Sequence, residues 1–190
     1  MVFAGYGISD AKYDDFANAN VQNKVVVVLE GEPKLDDGTF LLSGSSELSK
    51  WSKTDAWKEK MAAAKAKGAK ALLMITKYGD EDFLNIVKQR QAMMKRYGSA
   101  RMGFAEDGEP QSSNFAVINI SNAMAFDLLQ TSAQVLETYK KNVAQSESPV
   151  ALSLTAKAAM RIERTTVPVE TANVLGFLDG MLAPEGILQL

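Results

Sequence analysis

Histidine and cysteine are both absent from this chain of 190 residues. Without cysteine there is no thiol nucleophile, no disulfide and no thiolate metal ligand, and the redox compartment stays undetermined. Without histidine, the commonest general base at neutral pH and the commonest zinc ligand are excluded, together with every Ser-His or Cys-His arrangement. Catalysis by this chain would therefore depend on carboxylates, lysine, tyrosine or serine.

Long apolar runs and an excess of either charge are also missing. The longest apolar stretches, residues 25–29 and 71–75, are far shorter than the ~20 residues of a membrane span. The 21 basic and 23 acidic residues give a net charge of −2, without the basic excess of a surface that follows phosphates. Residues 1–10 lack the basic flank and apolar core of an export signal. We therefore expect no membrane span and no nucleic-acid partner.

Apolar patterns predict strands that alternate with helices, and a core that belongs to one compact domain. The tally is about six or seven strands and three or four helices, so the fold class is α+β or mixed α/β. Strands are predicted at residues 2–8, 23–31, 69–76, 114–121 and 149–158, with an extended continuation at 160–180.

Capping residues predict where the helices begin and end. Helices are predicted at residues 55–67 after a Thr54 cap, from an Asp80 cap to residue 96, from a Ser121 cap to residue 129, and from a Thr131–Gln134 capping box to residue 144. In the first of them, Lys60, Ala64 and Gly68 recur every four residues. Small side chains along that stripe predict that the helix lies close against the sheet.

Adjacent acidic residues occur at Asp14–Asp15, at Asp36–Asp37 and at residues 80–82. Paired carboxylates can share a proton or hold a hard cation. All three clusters fall in loops or in the first turn of a helix, where acidic side chains are well solvated or favoured by the helix dipole. We therefore expect them to be solvated surface groups.

Two short motifs resemble catalytic or phosphate-binding patterns. Ser9 and Lys12 match the S-x-x-K spacing in which a lysine activates a serine, but that chemistry needs a buried helix and this stretch is a polar loop. Gly5 and Gly7 begin a G-x-G-x-x-G spacing whose third glycine is replaced by Asp10. We expect chance in the first case, and in the second a strand that another backbone approaches closely.

The best candidate for recognition is the loop of residues 43–52. Its small residues make the backbone accessible, and its tryptophan offers a flat apolar surface with one hydrogen-bond donor. The candidate residues are Ser43, Gly44, Ser45, Ser46, Trp51 and Ser52. The alternative is that Trp51 packs inward as a core anchor.

Five blocks resemble, in order, the protease-associated (PA) domain inserted in M28-family zinc aminopeptidases. The blocks are "VFAGYGISDAKYDDF", "NKVVVVLEGEP", "KMAAAKAKGAKALLMI", "FAVINISNAMAFDLL" and "RTTVPVETANVLGFLDG". The most specific parts are the spacing from Gly-Tyr-Gly to Tyr-Asp-Asp and the helix pattern at Lys60, Ala64 and Gly68. Asn23 stands where the family usually has glycine, and asparagine tolerates the same left-handed turn.

This resemblance implies a β-sandwich or barrel-like sheet flanked by helices at residues 1–166. It implies a non-catalytic module that covers an active site, selects substrates or mediates protein contacts. Residues 167–190 would then be the linker and first strand of an absent metallopeptidase domain, although the family does not explain residues 181–190. Zinc would belong to that domain, the partners would be that domain and a peptide or protein substrate, and the parent would be secreted, periplasmic or associated with the cell envelope.

Four apolar residues of that last segment are the candidate interdomain seam. They are Val174, Leu175, Phe177 and Leu178. If exposed, they would form the kind of apolar patch that marks an interface. Two other functions stay open at this point: a stand-alone peptide-binding or protein-binding module, and a histidine-free Ser/Lys hydrolase.

Overall fold

The computed structural model describes residues 1–17, 19–97, 115–154, 156 and 157. A compact unit spans Met1–Ala158, and the rest of the chain lies outside the described residues. The described strands are β1 (Val2–Phe3), β2 (Val25–Leu29), β3 (Ala71–Ile75) and β4 (Ala116–Ile120). The described helices are α1 (Ala56–Ala66), α2 (Asp80–Tyr97), α3 (Asn122–Leu129) and α4 (Ala133–Ser146).

The four strands form one parallel sheet in the order β1-β2-β3-β4. The expectation of a mixed α/β fold is confirmed, whereas the PA-like β-sandwich stays a prediction. Fewer strands are present in the described part than the six or seven predicted, and the predicted extended stretch at 160–180 lies outside it. None of the helices in the described part is long and apolar enough to cross a membrane.

Strands β2 and β3 are buried on both faces, as their continuous apolar runs predict. Because side chains alternate along a strand, Val27 and Leu73 pack in one core with residues of α3 and α4. Val26 and Leu72 pack on the opposite face in a second core, which includes Ala64 of α1. The sheet is therefore covered by helices on both faces.

Helix α1 ends as predicted and begins differently. Gly68, at φ +81°, follows its last turn in the left-handed conformation that favours glycine. The prediction of a Thr54 cap is wrong, because the helix begins after Asp55, whose side chain makes no capping hydrogen bond. A turn before the helix explains the difference: the Ala56 N–H already donates to the Lys53 carbonyl at 2.9 Å.

Helix α3 has the predicted cap, with Ser121 Oγ accepting from the Met124 N–H at 3.1 Å. The predicted Thr131 cap of α4 is wrong, since Ser132 occupies that position. Thr131 instead closes the end of α3 by donating its N–H to the Phe126 carbonyl at 3.0 Å. Helix α4 ends at Ser146, two residues later than predicted.

Helix α2 begins at Asp80 and ends at Tyr97, one residue beyond the prediction. Gly98, predicted to end it, lies outside the described residues. Asp80 is predicted to cap α2. In the structure it is the first residue of that helix, and its carboxylate contacts the start of α3 instead. Its Oδ1 accepts from the N–H of Asn122, the first residue of α3, at 2.8 Å. This contact ties the start of α2 to the start of α3.

The predicted strand at residues 2–8 is wrong beyond Phe3, because the chain turns. Gly5 and Gly7 have φ values of +50° and +66°, which a strand cannot accommodate. Leu154 and Ala156 lie beside β1 in antiparallel order, because the Phe3 N–H donates to the Leu154 carbonyl at 3.1 Å and the Ala156 N–H donates to the Met1 carbonyl at 3.4 Å. The alternating apolar side chains of residues 150–154 pack against the core, as predicted.

The predicted left-handed turn before the valine strand is confirmed, with Asn23 at φ +59°. The chain also turns within residues 32–40, where the Gly38 N–H donates to the Leu35 carbonyl at 3.0 Å.

Candidate functional site

A buried carboxylate organises the turn that follows β1. Asp15 is 8% exposed, and its Oδ2 accepts from the N–H groups of Tyr6 and Ile8 at 3.0 and 3.1 Å. Its Oδ1 accepts from the Tyr13 hydroxyl at 3.0 Å. These hydrogen bonds fix the Gly-Tyr-Gly turn, and they account physically for its spacing from Tyr13 and Asp15.

A buried lysine reaches the same turn from α1. Lys60 is 1% exposed. Its Nζ donates to the carbonyl of Tyr6, to that of Leu29 at 3.2 Å and to that of Gly31 at 2.7 Å. The three donors of one ammonium are thus used on three backbone acceptors. Lys60 thereby joins α1 to the turn after β1 and to the end of β2.

Burial shifts the pKa of both charged groups towards neutrality. It raises the pKa of Asp15 to about 6, against the opposing effects of hydrogen bonds and of the Lys60 charge. It lowers the pKa of Lys60 to about 7, against the attraction of Asp15 and two glutamates. Perturbed pKa values are common at functional sites and in structural ion-pair networks. Here the hydrogen bonds favour a structural network, because almost all of them go to the backbone.

Three tyrosines surround Asp15 and stay neutral. Burial, followed by the Asp15 charge, raises the pKa of Tyr6, Tyr13 and Tyr139 well above the ordinary value of 10. The Tyr139 ring also packs edge-on against Phe3, with 5.2 Å between ring centroids. A neutral phenol at physiological pH donates a hydrogen bond and does not act as a base.

The expectation that all three acidic clusters are solvated is wrong for Asp15. Its neighbour Asp14 follows the expectation, in a partly exposed ion pair with Lys67 at 3.1 Å. Two signals in the sequence could have identified the cluster. A glycine turn just before a Tyr-x-Asp triplet presents amides to a carboxylate, and Lys60 shares a stripe with Ala64 that is otherwise buried.

The residues of the predicted recognition loop differ in their exposure to solvent. Trp51 is 3% exposed and belongs to the core, as the core-anchor alternative requires, so its flat face is not open to a ligand. Ser43, Gly44 and Ser46 are exposed. Ser45 and Ser52 are half-buried. Internal hydrogen bonds shape the exposed part, including one from Ser43 Oγ to the Glu47 carbonyl at 2.7 Å.

The remaining sequence motifs do not come together as a catalytic site. Ser9 pairs with Asp14 in an isolated antiparallel bridge, and Lys12 is exposed in the intervening turn rather than on a buried helix. Asp37 stabilises its own turn by accepting from the Thr39 hydroxyl at 2.7 Å. That hydrogen bond is the main reason why the pKa of Asp37 is lowered.

Two further expectations from the sequence concern metal ligands and the interdomain seam. The described part of the chain holds no group of three Asp, Glu, His or Cys residues that could bind a metal ion, so its residues do not fit a zinc site. The seam residues Val174, Leu175, Phe177 and Leu178 lie outside the described residues.

Comparison with known proteins identifies no relative. No family model matches the chain, and no curated protein or solved structure matches it either. The functional assignment therefore depends on the residues and on their arrangement.

Proposed function

We propose that this chain is a non-catalytic PA domain of an M28-type zinc aminopeptidase, in which it acts as an active-site lid, a substrate-selection module or a protein-interaction module. One observation carries the proposal. Three of the blocks that resemble the family meet at a single point, because Lys60 Nζ donates both to the Tyr6 carbonyl and to the Leu29 carbonyl. A shared buried contact gives these blocks a structural reason to occur together.

The hydrogen bonds of the two buried charged residues support a non-catalytic role. Asp15 and Lys60 are the described groups whose pKa values are moved to within about one unit of neutrality, and both are almost fully buried. A general base must be within hydrogen-bond reach of a proton on the substrate. Lys60 instead directs its ammonium at three carbonyls of its own chain.

The proposal includes the fold, the partners and the compartment that the resemblance implies. Residues 1–166 form the PA-like domain, with its β-sandwich or barrel-like sheet, and the segment after them leads to the metallopeptidase domain. That domain supplies the zinc ligands and is the principal partner, together with the peptide or protein substrate. The parent protein is secreted, periplasmic or attached to the cell envelope.

The reading frame that encodes the chain tests this assignment. Downstream of the codon for Leu190 it is expected to encode a His-x-Asp motif, because the family's zinc ligands are histidines and carboxylates. A stop codon directly after Leu190 would contradict the parent peptidase. That result would favour the stand-alone binding module, and the exposed residues Ser43, Gly44 and Ser46 are then the surface to examine first.

A further inference from the structure

A pocket of about 410 Å³ lies at the carboxyl ends of β2 and β3. Pockets that bind small molecules usually enclose about 300–1,000 Å³. Two other pockets of the described chain, of about 240 and 220 Å³, are below that range. Of these three pockets, the one at the strand ends has room for a small ligand.

The pocket lies between the ends of two strands and two helices. Glu30 follows β2 and Thr76 follows β3, and both residues line the pocket on the sheet side. Phe126 of α3 and Leu136 of α4 line it on the helix side. Segments that are far apart in the chain therefore enclose it.

The inner wall of the pocket is apolar. Leu29, Ile75 and Leu136 line it and are 4%, 1% and 3% exposed. Phe126 of α3 also lines the pocket and is half-buried. Aliphatic and aromatic surface at this wall suits a hydrocarbon side chain.

Glu30, at the entrance of the pocket, has a carboxylate that is held in place through one of its two oxygens. Glu30 Oε2 accepts from the Lys77 N–H at 3.1 Å and from the Thr76 hydroxyl at 3.4 Å. Glu30 Oε1 has no hydrogen bond or ion pair to any residue in the described ranges. Asp80 of the same pocket differs, because it accepts from backbone N–H groups at the start of α3. Glu30 is therefore a carboxylate of the pocket that is oriented and has one oxygen open to a cation.

The helix side of the pocket carries an ammonium group. Lys140 of α4 lies 2.7 Å from Glu137, and both side chains are substantially exposed, at 40% and 56%. Exposed ion pairs contribute little free energy, so an incoming carboxylate competes with Glu137 at small cost. The pocket thus presents an acceptor for a cation on the sheet side and a donor for an anion on the helix side.

We propose that this pocket binds a free amino acid with an apolar side chain. The ligand ammonium donates to Glu30, the ligand carboxylate accepts from Lys140, and the side chain packs on Phe126 and Leu136. The inference rests on the pocket alone and does not require the proposed peptidase parent.

Titration of the ¹⁵N-labelled chain with leucine tests the proposal by NMR. The amide resonances of Thr76 and Lys77 are expected to shift with leucine concentration. Leucinamide lacks the carboxylate and N-acetylleucine lacks the ammonium, so each is expected to bind about tenfold more weakly, as the loss of one charged hydrogen bond predicts. Equal affinity for either analogue, or no shift at these amides with leucine, would overturn the proposal.

Variants identify which side chain recognises which end of the ligand. Lys140→Met is expected to weaken leucine about tenfold and to leave leucinamide unchanged. Glu30→Gln is expected to weaken leucine similarly and to leave N-acetylleucine unchanged. Lys141→Met is the matched control, because Lys141 is exposed on the same helix and does not line the pocket.

Each variant is also checked for a wild-type NMR spectrum away from the pocket, which shows that the fold is retained. Lys140 is partly exposed on α4, so its substitution keeps the test decisive even where Glu30→Gln disturbs the strand end. An equal loss of affinity in Lys141→Met and Lys140→Met would contradict the assigned contact.

Discussion

Lys60 has the most constrained environment of the charged residues in the described structure. Lys60 is 1% exposed, and its ammonium donates to three backbone carbonyls that belong to two separate segments. A buried charge is tolerated when its hydrogen bonds are complete, and removing one partner leaves the others unpaired. Removing the Lys60 side chain would therefore leave three buried carbonyls without a donor, and the free energy of unfolding should fall accordingly.

Lys60→Met is expected to lower the free energy of unfolding by about 3 kcal/mol, because Asp15 loses its counter-charge and the carbonyls lose a donor. Urea denaturation followed by circular dichroism measures the change. Lys58→Met on the same helix is the control, since that side chain is 59% exposed and its ion pair with Asp55 contributes little. Equal midpoints for the two variants would show that the buried contact adds no stability.

The pH dependence of stability follows from the two shifted pKa values. The pKa of Asp15 rises from 3.8 to about 6 on folding, so the folded chain binds more protons than the unfolded chain between those values. The free energy of unfolding therefore falls as the pH rises through that window. The pKa of Lys60 falls from 10.5 to about 7, so the free energy of unfolding rises as the pH increases from about 7 towards 10.5.

Unfolding measured from pH 4 to pH 10 in the wild type and two variants separates these contributions. Asp15→Asn is expected to lose the decrease between about pH 4 and 6, and Lys60→Met the increase above about pH 7. Parallel curves for the wild type and the matching variant would mean that the residue does not titrate differently in the folded chain.

At the scale of the structural element, the turn after β1 shows how a distant contact overrides a local pattern. Residues 2–8 are apolar and aromatic, which predicts a strand. In the structure the strand ends at Phe3, because Asp15 accepts from the Tyr6 and Ile8 amides and draws the chain into a turn. Strand pairing and the buried carboxylate compete for the same amides, and the carboxylate prevails.

Gly5→Ala tests the close packing of this turn. Gly5 has φ +50°, and an added Cβ would collide with Asp15 Oδ1 and the Tyr139 hydroxyl. Gly44→Ala is the matched control, with φ +64° and no atom within 4 Å of the added Cβ. The left-handed conformation alone should cost about 1 kcal/mol in both variants, and the collision about 2 kcal/mol more in Gly5→Ala. Unfolding in guanidinium chloride measures both losses of stability. Equal losses in the two variants would contradict the close packing of Gly5 against Asp15 and Tyr139.

Elements defined by local chemistry were predictable from the sequence. The β-branched and apolar runs gave β2 and β3 their positions, Gly68 marked the end of the first helix, and Ser121 marked the start of α3. Local patterns could not show that a turn replaces the Thr54 cap, or that Thr131 closes the preceding helix. Those outcomes depend on which backbone partner each amide finds after the elements pack.

At the scale of the whole molecule, the fold places four ionisable residues in two different settings. Asp15 and Lys60 are buried and satisfied by the chain itself, which suits the maintenance of the fold. Glu30 and Lys140 line an open pocket at the strand ends, which suits binding. The sequence predicted neither setting, because Lys60 appeared as one member of a small-residue stripe and the pocket is formed by segments far apart in the chain.

The proposal that this chain is non-catalytic is tested most directly by an aminopeptidase assay. The purified chain is incubated with zinc and the chromogenic substrate leucine p-nitroanilide, and release of p-nitroaniline is followed by absorbance. We predict a rate equal to that of the buffer blank, because the chain has no histidine and its described residues form no zinc site. Hydrolysis that rises in proportion to protein concentration would contradict the claim, and its loss in Ser9→Ala would favour the Ser/Lys hydrolase.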